Sequence, residues 1–117
     1  MLAVPRPPMQ QLPVDRLIAL CREQPDAVLL DVREPWECAL APLVLDGVST
    51  LFMPMAEVPA RLGELDAARP LVCVCHHGVR SLQVAAYLER AGFDAVHNLA
   101  GGVDAWSREV DSAVPRY

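Results

Sequence analysis

The chain has 117 residues, a net charge of −5, 53% hydrophobic residues and a mean hydropathy of +0.23. That length suits one domain, read here as residues 1–117, and the apolar content excludes a disordered chain. The acidic balance speaks against nucleic acid or an anionic membrane as partner, and no apolar run approaches the ~20 residues that span a bilayer.

Met1 to Pro13 is proline-rich and is expected to run extended, with a short strand near Met9 to Leu12. It has no apolar core of signal-peptide length, which predicts a cytoplasmic protein. Val14, Leu17, Ile18 and Cys21 recur at i, i+3, i+4 and i+7, so Val14 to Glu23 reads as an amphipathic helix with Cys21 an inert thiol on its apolar face. Ala27 to Val32 reads as a buried strand. Asp31 and Arg33 stand at its C-terminal end, where open α/β sheets place ligands. They either support a site there or form a surface ion pair and a helix cap. Trp36, Ala39, Leu40 and Leu43 predict a short helix after Pro35, with Cys38 off its apolar face. Ser49 to Met53 reads as a third strand, and Val58, Leu62 and Leu65 mark a helix from near Pro59.

Leu71 to Cys75 is a continuous apolar run after Pro70, the pattern of a strand buried on both faces. Leu82, Ala85, Ala86 and Glu89 fall at helical spacing, and Gly92 closes that helix. Between them the turn His76-His77-Gly78-Val79-Arg80-Ser81 is a basic island on an acidic chain. Ala95 to Leu99 is a further strand, Gly101-Gly102 a turn, and Val103 to Val110 a last helix. His97 is read as satisfying a local hydrogen bond. Strands alternating with helices predict an α/β fold, a parallel sheet with helices on both faces.

A strand that ends in a tight loop and feeds a helix aims backbone N–H groups at one point, a ready anion site. A cysteine at its rim, here Cys75, would have its thiolate stabilised there. The competing reading of Cys75 is a small buried hydrophobe at a strand end. The run Cys73-Val74-Cys75-His76-His77 lacks the second Cys/His pair of a structural zinc site, so no metal is expected. Cys73 and Cys75, one residue apart on a strand, are badly placed for a disulfide.

Cys75 to Ser81 resembles the active-site loop of the rhodanese-like sulfurtransferases. Leu30-Asp31-Val32-Arg33-Glu34-Pro35-Trp36-Glu37 resembles that family's strand-two signature. Gly92-Phe93 and Asn98 to Trp106 resemble its C-terminal signature, and Val114 to Tyr117 its ending. Leu40 to Val48 departs from the Gly-His-Ile-Pro-Gly-Ala-like segment usual before the third strand, which bears on the acceptor surface.

The resemblance implies a three-layer domain with a central sheet of about five parallel strands. It implies that Cys75 attacks the outer sulfur of thiosulfate or a persulfide donor. Cys75 would then pass that sulfur to cyanide, a small thiol, a protein thiol or a sulfur carrier. The covalent persulfide stands in for any cofactor. His76, His77, Gly78, Val79, Arg80 and Ser81 would form the binding loop, with Arg80 adding positive charge for an anionic donor and Asp31 and Arg33 in support. Two alternatives stay open. Phosphatases and arsenate reductases share the Cys-loop-Arg logic, but their loop holds one residue more than the four between Cys75 and Arg80. A non-catalytic interaction module is the other.

Overall fold

The computed structural model describes residues 8–117; the extended course expected for residues 1–7 lies outside them. Five short strands form one sheet: β1 (Gln10–Pro13), β2 (Val28–Asp31), β3 (Ser49–Phe52), β4 (Leu71–Val74) and β5 (Val96–Ala100). Their order across it is β1-β5-β4-β2-β3, and every pairing is parallel. The helices are α1 (Leu17–Glu23), α2 (Pro35–Leu40), α3 (Val79–Arg90) and α4 (Gly102–Glu109).

Alternation within the strands divides the core in two. Leu29, Val72, Val74 and Leu99 face α1 and α4, where they meet Leu17, Leu20, Val103 and Trp106. Val28, Leu30, Leu71 and Cys73 face the other way, onto Val84, Ala85 and Leu88 of α3. All four residues of β2 and of β4 are buried, so these strands lie inside a three-layer α/β sandwich. Each fully buried Leu or Val there contributes about 1.5–3 kcal/mol. Cys75 continues the Leu71–Cys73 face and lies on the α3 side of the sheet.

The chain leaves β2 toward the β3 edge but leaves β4 toward β5 on the opposite side. The C-terminal ends of β2 and β4 thus flank a crevice of the kind where open parallel sheets bind ligands. Asp31 pairs in register with Val74 across it, which sets the Asp31–Arg33 segment beside the Cys75 loop. Among the described residues, no helix is long and apolar enough to cross a membrane.

Four local expectations change. The helix predicted over Val14 to Glu23 opens as a 3-10 turn, Val14–Arg16, before α1, and Ile18 is turned out while Leu20 is buried. The helix from Pro59 is replaced by two 3-10 turns, Met55–Glu57 and Leu62–Glu64. Pro54, Pro59 and Gly63 break the segment into pieces too short for α-helical hydrogen bonding to pay its nucleation cost. In α2 the predicted apolar stripe faces solvent: Trp36 is 62% and Leu40 48% exposed, while Glu37 is 3% exposed. Finally, α3 begins at Val79 and not at Leu82, so Arg80 and Ser81 belong to its first turn.

Candidate active site

The loop after β4 is shaped by two glycine-dependent contacts. Gly78 caps α3 at φ +90°, and a Cβ there would meet Gly101 N at 3.0 Å and Leu99 O at 3.2 Å. Gly102 opens α4 at φ +63°, and a Cβ there would fall 2.4 Å from the carbonyl oxygens of both Cys75 and His76. Those carbonyls accept hydrogen bonds from the first-turn amides of α4, Val103 N at 2.9 Å and Asp104 N at 3.0 Å. Asn98 Nδ2 donates to Gly78 O at 3.1 Å and to Gln11 Oε1 at 2.9 Å. With its carbonyls held from behind, the loop is free to turn N–H groups inward.

These donors converge on Cys75. Gly78 N and Ser81 N donate to Sγ at 3.1 and 3.3 Å. The Ser81 hydroxyl lies 3.2 Å from Sγ and 2.5 Å from Asn98 Oδ1, so two acceptors compete for its one proton. First-turn amides of a helix have no partner within that helix, and at α3 the sulfur takes one of them. The site is therefore a cradle for negative charge on sulfur, built from fixed dipoles.

Arg80 was expected to offer its charge to an anionic donor, and the structure directs it elsewhere. Its Nη1 and Nη2 grip Glu37 Oε2 and Oε1 at 2.8 and 2.7 Å. Chiefly this contact holds the Glu37 carboxyl at about 2, below its usual 4.5. Glu37 also accepts from Glu34 N at 2.9 Å, closing a capping box on α2, and from the Tyr117 hydroxyl at 3.0 Å. The demand for a counter-charge thus decides which face of α2 turns inward.

Asp31 and Arg33 form neither a surface pair nor a helix cap. Both side chains are buried, joined by Arg33 Nη2 to Asp31 Oδ2 at 2.8 Å and Nε to Oδ1 at 2.9 Å. Arg33 Nη1 donates to Ala41 O at 3.0 Å and to Tyr117 Oη at 3.1 Å. A buried arginine is tolerable only when its donors are met, as here. The pair reaches the loop through Tyr117, whose ring stacks on His76 at 3.7 Å and 9°, with Trp36 edge-on at 6.0 Å. On its other side His76 stacks on His77 at 3.8 Å. Burial, and then His77, lower the basicity of His76.

His76, His77 and Asp104 bring one potential ligand atom each within 4.8 Å of one another. The two rings lie nearly parallel, and both Asp104 oxygens accept from arginines, Arg108 and Arg116 at 3.0 Å. Two stacked rings and a carboxylate already engaged by two arginines are what a shared ion would meet there. His97 has a buried Nδ1 with no partner among the described residues, in place of the expected local hydrogen bond. Cys73 is deeply buried and Cys38 partly so, and burial pushes their thiols up to about 12 and about 11.

The family model of the rhodanese-like domain matches residues 14–109. The chain belongs to the rhodanese-like domain family. A sulfurtransferase of Allochromatium vinosum is 39% identical over 83 residues, covering 71% of this chain and 74% of the relative. The chloroplastic rhodanese-like/PpiC domain-containing protein 12 of Arabidopsis thaliana is 33% identical over 115 residues. That match covers 96% of this chain but 38% of the relative, so the chain spans well under half of that protein. The crystal structure of a rhodanese-like domain protein from Staphylococcus aureus aligns with a TM-score of 0.73 at 32% identity, over 87% of this chain and 95% of that one. Together these support a sulfurtransferase-type role for this rhodanese-like domain.

Sequence reasoning missed Glu37, Asn98 and Tyr117. Glu37 was hidden by the apolar spacing around it, although it stands four residues after Arg33 and three after Glu34, the spacing of a capping box. Its charge makes a testable contribution to stability. A depressed carboxyl stabilises the fold above its unfolded value near 4.5 and loses that contribution as pH falls toward 2. Wild type should therefore lose its urea-midpoint advantage over Glu37→Gln across that interval. Parallel curves for the two proteins would show that the ion pair contributes nothing net. Tyr117→Phe keeps the stacked ring but removes the hydroxyl between Arg33 and Glu37. It should cost about 1.5–3 kcal/mol in denaturant unfolding, the range for a hydrogen bond to charged partners.

Proposed function

We propose that this domain is a sulfurtransferase that carries sulfane sulfur as a persulfide on Cys75. The observation that carries this reading is the convergence of Gly78 N and Ser81 N on Cys75 Sγ, with the Ser81 hydroxyl beside it at 3.2 Å. Donors centred on the sulfur itself suit a nucleophile and intermediate whose charge resides on sulfur. A phosphatase or arsenate reductase needs the donors and the loop arginine to meet three peripheral oxygens, and here Arg80 is engaged by Glu37.

The cycle balances without a cofactor. The Cys75 thiolate attacks the outer sulfur of the donor, one S–S bond forms as another breaks, and the leaving group departs with the electron pair. Sulfite leaves from thiosulfate and a thiolate leaves from a persulfide. A thiophilic acceptor, cyanide or a small or protein-borne thiol, then removes the outer sulfur and regenerates the Cys75 thiolate. Cys38 and Cys73, held protonated near neutral pH, are poor competitors for the first step. Four free cysteines fit a reducing, cytoplasmic setting.

Mass spectrometry of the intact protein after exposure to donor tests the reading. Cys75 should gain one sulfur atom, and cyanide should remove it. A gain on another cysteine, or none from any sulfane donor, would overturn it.

A further inference from the structure

Resting on the sulfur-transfer reading, we infer that the donor this site is built for is an organic persulfide, taken in its protonated form R–S–SH, and not the thiosulfate dianion. The loop from Cys75 to Ser81 holds one arginine, Arg80. Both terminal nitrogens of Arg80 are committed to Glu37, which is almost fully buried and cannot swing away into solvent. A guanidinium and a carboxylate in contact act on a third charge as a dipole, which falls off much faster than a lone cation. The second arginine near the crevice, Arg33, is cancelled in the same way by Asp31 and has no exposed side-chain surface.

Three further basic side chains, His76, Arg108 and Arg116, are weakened or engaged in their turn. Desolvation, and then the neighbouring His77, weaken the basicity of the half-buried His76 ring. Asp104 is shared by Arg108 and Arg116, whose side chains are 46% and 60% exposed and therefore open to screening. The chain as a whole carries −5 and repels an approaching dianion.

The loop and its rim also expose apolar surface. Val79, the residue between the Gly78 cap and Arg80, is 65% exposed. Trp36 is 62% exposed and continues the aromatic row of Tyr117, His76 and His77. A rim of this kind favours the carbon chain of R over a sulfonate.

In the first half-reaction the Cys75 thiolate attacks the terminal sulfur of R–S–SH. The donor S–S bond breaks, the Sγ–S bond forms, and R–S⁻ leaves with the electron pair and takes up the proton that the transferred sulfur carried, leaving R–SH and a Cys75 persulfide anion. The cradle then holds the new persulfide, and no oxidant or reductant is consumed.

The test measures the rate constant for sulfur loading of Cys75 from two probes, thiosulfate and 2-hydroxyethyl persulfide, at a pH low enough to keep the persulfide protonated and therefore neutral. Intrinsic reactivity differs between them, so the deciding quantity is the response to charge. Glu37→Gln keeps the size of residue 37 and one of its two acceptor oxygens, and releases the charge of Arg80. It should raise loading from thiosulfate about tenfold, the low end for a charge that focuses an anion, and change loading from the neutral donor by less than about twofold. Equal changes for both donors, or a loss confined to thiosulfate, would overturn the assignment. Wild type provides a check that does not depend on the variant folding. Its loading from thiosulfate should stay level or rise with added salt; a fall would mean that an unpaired cation attracts the dianion, and would overturn the assignment too. Loading from neither donor would overturn the sulfur-transfer reading as well, whereas loading with the wrong charge response removes only the donor class.

Discussion

Cys75→Ser should lower sulfur transfer from any donor by at least about a thousandfold, because a hydroxyl near neutral pH is neither ionised nor able to form a persulfide. The effect should be on chemistry and not on folding. Cys75 is 1% exposed, and a serine there inherits the donors Gly78 N and Ser81 N. Denaturant midpoints of the variant and wild type should therefore lie close together while transfer differs by orders of magnitude. The other three thiols provide the contrast. Cys21 and Cys73 are packed in the two halves of the core, and Cys38 is raised to about 11 by burial and the nearby Asp31 charge. Serine at Cys21 or Cys38 should leave transfer within about threefold of wild type, the scatter of an ordinary packing change. Residual activity above background in Cys75→Ser would mean that the sulfur travels on a different residue.

The fold was legible because its signals are local and repeated. Two buried strand-length runs, Ala27 to Val32 and Leu71 to Cys75, alternate with helical patterns and further strand-length segments, which leaves little choice but a parallel α/β sheet. The cysteine loop was legible for the same reason: a buried run, a glycine at the turn and a helical pattern after it are adjacent in the chain. Two kinds of feature were not. The first is charge pairing over distance. Arg80 and Glu37 are 43 residues apart, and nothing in either neighbourhood says that they meet. Read alone, Arg80 is a cation for a substrate; in the structure it is half of an internal ion pair. The second is competition within a short helix. Apolar spacing in α2 predicted that Trp36 and Leu40 point inward, yet the four hydrogen bonds that Arg80, Tyr117 and Glu34 make to the Glu37 carboxylate turn the helix the other way. Over six residues the burial of two apolar side chains is too little to outweigh them.

Gly102→Ala should be the most damaging single-methyl change in the protein. The two cysteine-loop carbonyls lie where the new Cβ would go, each at 2.4 Å, and neither is the far end of a flexible side chain that can yield. They are held in place by Val103 N and Asp104 N, so moving them breaks the hydrogen bonds that join α4 to the loop. The φ of +63° adds its own cost, about 1 kcal/mol or more for a residue with a Cβ. Together the clash and the backbone strain should destabilise the domain by more than about 3 kcal/mol, the range of overpacked and backbone-strained sites. Any folded remainder should lose sulfur transfer, because the inward N–H groups keep their aim only while the carbonyls behind them are held. Gly63→Ala is the matching control: its φ is not positive and nothing lies within 4 Å of the added Cβ. That variant should stay within about 0.5 kcal/mol of wild type. If Gly102→Ala unfolds at the same denaturant concentration as Gly63→Ala and still loads sulfur on Cys75, the loop is not braced by α4, and the positioning argument for the cradle fails with it.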